Sequence, residues 1–172
     1  AIEVLPDDGH RLSVREAVQA PAPEWKTVQK QSLSFGFSKS VYWLKIPVSI
    51  IPDDDERRFV VLEWKPLNHV DFYTIRDGES VRHQRAGDAI PYREWSVSGT
   101  YYPTFVLESD RRADFYLIRL ESLSFKSFPI KIMTRTDMLE SIRFETGFIW
   151  FYGGLVVMLV LFSLFLFRID RD

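Results

Sequence analysis

The chain has no cysteine, only three histidines and no excess of basic charge. Without cysteine there is no disulfide framework and no thiolate metal site, although this does not identify a compartment. His10, His69 and His83 fall at no metal-ligand spacing, and no motif sets a nucleophile beside one of them. No catalytic residue, metal or cofactor is therefore expected. Glu63 and Asp71 could serve as a glycosidase pair only if the strand order brought them together. Asp53-Asp54-Asp55 offers oxygens for calcium, but turns are rich in aspartate and no EF-hand spacing is present. The formal net charge of −2 removes the electrostatic basis for binding nucleic acid. Internal repeats and low-complexity stretches are also missing.

What the chain does have is one long uncharged run, residues 146–167, bounded by Glu145 and Arg168. As a helix rising about 1.5 Å per residue it would span roughly 30 Å, the thickness of a bilayer's hydrocarbon core. Trp150, Phe151 and Tyr152 lie near one end, where amphipathic rings favour the headgroup zone. Gly153-Gly154 would let a neighbouring helix approach closely. The positive-inside rule does not orient the run, because Arg135 and Arg143 precede it while Arg168 and Arg171 follow. The small residue Ala1 is what cleavage of a secretory signal would leave, so residue 1 could be a mature N-terminus, though it could also be an arbitrary starting point. The expected organisation is a domain over 1–135, a juxtamembrane helix over 136–145, a transmembrane helix over 146–167 and the start of a cytoplasmic segment over 168–172.

The first 135 residues read as strand after strand. Ser13-Val14-Arg15-Glu16 fits a capping box and predicts a short helix over 13–18, ended by Pro21 and Pro23. Strands are expected over 2–5, 41–50, 58–65, 69–75, 80–86, 101–107, 113–122 and 128–134. Pro47 suggests an edge strand or a bulge, and Asp77-Gly78 a two-residue hairpin. Short strands spaced by turns, with little helix, predict an antiparallel β-sandwich.

Side-chain alternation then divides each strand into two faces. Tyr42, Leu44, Ile46, Val48 and Ile50 point inward, as do Val60, Leu62 and Trp64, Val70 and Phe72, and Tyr116, Ile118 and Leu120. Trp43, Lys45, Glu63, Lys65, Asp71, Tyr73, Leu117, Arg119 and Glu121 point outward. If those strands share a sheet, its outer face carries aromatics beside charges of both signs, a surface suited to sugars or to small zwitterions such as amino acids. The irregular connection 88–100 adds Tyr92, Arg93 and Trp95, which could close over one end. The candidate ligand-binding residues are Trp43, Lys45, Glu63, Asp71, Tyr73, Arg93, Trp95 and Arg119. A surface that pairs with another protein, without a small ligand, is the alternative.

Several pieces, in order, carry a resemblance over nearly the whole chain. They are SFGFSKSVYWLK at 34–45, VDFY at 70–73, Gly87-Asp88 with Pro91, YYPTFVL at 101–107 and FYLIRLES at 115–122. Pro129, Glu145 with Gly147, and Tyr152-Gly153 leading into LFSLFLF complete the set. The chain resembles the second type of extracellular sensor domain in bacterial seven-transmembrane receptors with diverse intracellular signalling modules. Two positions depart from that pattern: Ser163 stands where asparagine is expected, and Lys45 where arginine is usual, which keeps charge but loses the bidentate fork. The resemblance implies a jelly-roll-like, carbohydrate-binding-module-like sandwich in the periplasm, anchored in the inner membrane. It also implies a binding face whose candidates are Trp43, Lys45 and Arg119, so the expected ligand is a small molecule of the sugar class or, from the charges on that face, the amino-acid class. Seven membrane helices would follow, only the first of them in this chain, leading to a histidine kinase or diguanylate cyclase output. Homodimerisation, or association with another receptor, is the further partner expectation.

Overall fold

The computed structural model describes residues 1–28, 32–37, 40–52, 56–64, 66–107, 113–122 and 125–169. The aspartate run at 53–55 and Lys65 lie outside these. The chain divides into two compact units, Ala1–Arg135 and Thr136–Asp172.

Among the described residues the first unit holds two antiparallel sheets. The larger contains β1 (Ile2–Asp7), β2 (Lys26–Val28), β4 (Val41–Pro47), β6 (His69–Arg76), β7 (Glu79–Ala86) and β9 (Phe115–Glu121), in the order β2-β1-β4-β9-β6-β7. The smaller contains β3 (Ser32–Phe37), β5 (Arg58–Leu62), β8 (Thr104–Val106) and β10 (Phe125–Thr134), in the order β3-β10-β5-β8. Leu44, Ile46, Phe72, Ile118 and Leu120 from the larger sheet meet Val60, Leu62 and Phe105 from the smaller in one core. Phe72 stacks on Phe105 with ring centroids 5.1 Å apart. The inward residues expected on β6 and β9 are all buried. On β5 Phe59 and Val61 are buried as well, so this strand is apolar on both faces.

Prolines mark where strands stop or change partner. Pro47 lies on no edge: β4 sits between β1 and β9, and Pro47 is its last residue, beyond the end of the β1 pairing at Lys45. A 3-10 turn, Val48–Ile50, follows where the sequence had suggested more strand, and Ile50 is exposed. Pro129 is the last residue of β10 paired with β3, and Ile130 the first paired with β5. The missing proline N–H thus falls at the handover between partners.

The edges β7 and β8 are joined by a side chain. Gln84, buried on β7, donates from Nε2 to the carbonyl of Val106 (2.8 Å) and accepts from the Val106 N–H at Oε1 (3.0 Å). Its amide takes the place of a neighbouring peptide for the end of β8. Gln84→Leu keeps the bulk but orphans both backbone groups, at a cost of about 2–3 kcal/mol. The unfolding midpoint in urea should fall accordingly; an unchanged midpoint would show that the clasp contributes nothing.

The second unit is a single helix. α2 spans Arg135–Ile169 and begins at the residue after β10 ends. It is long and apolar enough to cross a membrane.

Candidate functional site

Antiparallel register sets the outer face of the larger sheet. One row across the strands reads Leu5, Trp43, Arg119, Asp71, Arg85, and the next reads Glu3, Lys45, Leu117, Tyr73, His83. Five of the sequence candidates, Trp43, Lys45, Asp71, Tyr73 and Arg119, therefore do share one face. The other three do not join them.

That face is not uniformly open. The chain between β1 and β2 folds back over part of it, through α1 (Val14–Gln19). The helix starts where the capping box places it: Ser13 Oγ accepts from the Glu16 N–H (3.3 Å), and the Glu16 carboxylate accepts from the Ser13 N–H (2.8 Å). The Ser13 hydroxyl, which donates to the Glu16 carboxylate at 2.6 Å, and then the Ser13 N–H hold the Glu16 carboxyl below its usual range. Asp7 steadies the approach, accepting from the N–H groups of Arg11 (3.1 Å) and Leu12 (3.0 Å). Ala17 and Trp25 then pack on Leu5, Val41, Trp43, Ile75 and Leu117 as a second apolar cluster.

Trp43 is the largest fully buried side chain of that cluster, only 1% exposed. The expectation of an exposed tryptophan platform is thus corrected: alternation assigns its face properly, but α1 and Trp25 cover it. Glu63 is corrected too, because it follows β5 in the other sheet, where it pairs with Lys131 at 2.7 Å. Trp95 turns its indole N–H to the carbonyls of Gly87 (3.1 Å) and Ile90 (3.2 Å) and packs on the main core. Arg93 is exposed on a 3-10 turn, Tyr92–Glu94. What this connection gives the face is Glu94, which accepts from Arg85 at 3.1 Å.

The open part of the face is a charged cluster beside one aromatic ring. Arg119 reaches Glu121 at 2.9 Å and Asp71 at 3.6 Å, using Nη1 for both. The second oxygen of Asp71 meets His83 Nε2 at 2.8 Å. The His83 imidazole lies parallel to the Tyr73 ring, centroids 4.5 Å apart, and Tyr73 has Trp43 at 6.0 Å. Tyr73 therefore stands at the seam between the covered and open parts. Lys45 is engaged nearby, with Nζ 4.5 Å from the Phe115 ring centroid, 5.6 Å from that of Trp25 and 3.7 Å from the Glu3 carboxylate. Among the described residues no group of three His, Cys, Asp or Glu side chains is placed to hold a metal ion.

Burial, and secondarily the Asp71 charge, push the Tyr73 hydroxyl up to about 12, against an opposing pull from Arg119. An unfolded tyrosine loses its proton near its ordinary value of about 10, whereas the folded one holds it. The resulting stability is intact below about pH 10 and is lost as pH rises from there toward 12. The phenolate absorbance difference between the parent and Tyr73→Phe should accordingly rise near pH 12. A rise near pH 10 would contradict this burial.

Two members of the cluster, His83 and Glu121, were not candidates from sequence. Glu121 was legible as an outward residue. His83 was not: counting back from Asp77-Gly78 pairs Tyr73 with Arg82, but the register shifts between Thr74 and Ile75, so Thr74 meets Arg82 and Tyr73 meets His83. One extra residue in β7 moves every later side chain to the opposite face.

A family model described as 7TMR-DISM extracellular 2 matches residues 1–134. A search of curated proteins found no match. The match covers the whole two-sheet unit, and a helix that could span a membrane follows it. The chain belongs to the 7TMR-DISM extracellular 2 family, the extracellular sensor domains of these receptors.

Proposed function

We propose that the chain is a periplasmic ligand-sensing domain with a jelly-roll-like architecture, joined to the first inner-membrane helix of a bacterial signalling receptor. The ligand is a small molecule of the sugar or amino-acid class, bound on the open part of the larger sheet's outer face. The observation that carries this reading is the cluster of Asp71, His83, Arg119 and Glu121, whose His83 stacks on Tyr73, beside a covered apolar patch. A solvated face with scattered ion pairs does not need a stack of three rings or a flap that stops at its border. Lys45 acts from the side, through its contacts to Glu3 and Phe115. Output through a kinase or cyclase belongs to the rest of such a receptor. The route begins on β9, which bears Arg119 and Glu121, and continues through β10 into α2. The signal available is limited to the ligand's difference in affinity between two states.

A thermal-shift screen of residues 1–135 against sugars, amino acids and organic acids tests this. A melting temperature that rises with the concentration of one class is expected. A second reading, a protein-docking surface, is favoured by the exposed Tyr92 and Tyr101 on the connection before β8. No shift across the panel, together with concentration-dependent association in sedimentation, would replace the first reading by the second.

A further inference from the structure

We infer that the ligand of this face is a zwitterion with an ammonium group beside a carboxylate, an α-amino acid, held between Arg119 and Glu121. The inference rests on the ligand-sensing reading above and narrows it.

Consider which polar atoms remain available. Arg119 spends only Nη1 on its two carboxylates. Its Nη2 and Nε have no partner among the described residues, and its side chain is 20% exposed. Among the described residues Glu121 engages Oε2 alone, and its side chain is 35% exposed. Asp71, by contrast, has one oxygen on His83 and the other on Arg119. The unfilled capacity is therefore one arm of a guanidinium fork and one carboxylate oxygen. Both belong to residues two apart on β9, so both stand on the same face. A ligand carboxylate fits the fork, and an ammonium group fits the oxygen. Each contact is charge-assisted and stronger than a neutral hydrogen bond.

The competing ligand chemistries fit less well. Arg119 is outnumbered by Asp71 and Glu121, so a purely anionic ligand meets surplus negative charge. A simple amine leaves the fork empty. A neutral sugar gains most from an open, flat aromatic ring, but on this face Trp43 is buried and Tyr73 lies between Trp43 and His83. Neighbouring charges are already matched, Arg85 with Glu94 and Lys45 with Glu3. A zwitterion adds no net charge and fills both vacant positions.

The test is isothermal titration of the full chain in detergent micelles with glycine, alanine, glutamate and lysine. Lactate, ethylamine and glucose serve as comparators. At least one amino acid should bind, and lactate and ethylamine, each lacking one of the two groups, should bind about tenfold more weakly or not at all. Arg119→Lys and Glu121→Gln should each weaken the amino acid by about tenfold. Glu121→Gln keeps the shape of the side chain, so it carries the test if Arg119→Lys does not fold. Binding of glucose but of no amino acid would overturn the ligand class and leave the sensing reading standing. Amino-acid binding that neither substitution affects would overturn the site. No binding by any compound would overturn both.

Discussion

Trp43→Ala should destabilise the N-terminal unit by roughly 3–5 kcal/mol, the usual cost of emptying a large buried aromatic site. Trp43 is enclosed by Leu5, Val41, Ile75 and Leu117 from the sheet and by Ala17 and Trp25 from the covering segment. Its removal opens a cavity on both sides and leaves Ala17 and Trp25 without their main partner. Trp43→Phe separates packing from polarity. The indole Nε1 is buried with no hydrogen-bond partner, so phenylalanine gives up some volume but also removes an unsatisfied donor. These effects oppose one another, and Trp43→Phe should stay within about 1 kcal/mol of the parent. Urea unfolding of residues 1–135 reads both values. An unchanged midpoint for Trp43→Ala would mean the ring is a surface platform after all. An equal loss for both variants would mean that the indole N–H has a partner.

The same residue shows how far the sequence could be read. Features fixed within one strand or turn were legible: alternation gives Val70 and Phe72 on β6 and Tyr116, Ile118 and Leu120 on β9, and the Ser13–Glu16 box starts a helix. The Asp77-Gly78 pair closes a hairpin in which both residues take positive φ, 52° and 74°. Features decided by distant contacts were not. Nothing local says that Ala17 and Trp25 return to cover Trp43, although Leu12, Val14 and Val18 already mark the covering segment as needing an apolar partner. Alternation gives Glu63 a face but not a sheet, and β5 pairs with β10 and β8, far from Arg119 in the ladder. The shift in β7 hides His83, because a single inserted residue leaves no compositional trace. Three of the four cluster residues, Asp71, Arg119 and Glu121, were therefore visible as outward charge. The cluster's boundary was not, since a fold-back sets it.

Gly87→Ala should be as damaging, on the order of 3–5 kcal/mol, for a reason of backbone rather than packing. Gly87 has φ +135°, a conformation that side-chain-bearing residues rarely adopt. A Cβ there would also stand 2.3 Å from the carbonyl oxygen of Asn68 and 2.9 Å from that of Leu67. Neither carbonyl can withdraw easily. Leu67 O accepts from the Asp88 N–H at 2.8 Å and Asn68 O from the Ala89 N–H at 3.1 Å, while the Asn68 side chain donates to Asp88 at 3.0 Å. The Gly87 carbonyl in turn accepts from Trp95 Nε1. Gly78 supplies the control, with φ +74° and no atom within 4 Å of where an alanine methyl would stand, so Gly78→Ala should cost only about 1–2 kcal/mol of local strain. The difference between the two alanine variants, measured by urea unfolding, isolates the close approach. Equal, small losses would show that the chain around Gly87 has room to move. A large loss at Gly87 alone would tie the Gly87-Asp88 piece of the resemblance to a packing requirement: it anchors the 88–100 connection beside Arg85, at the edge of the proposed ligand face.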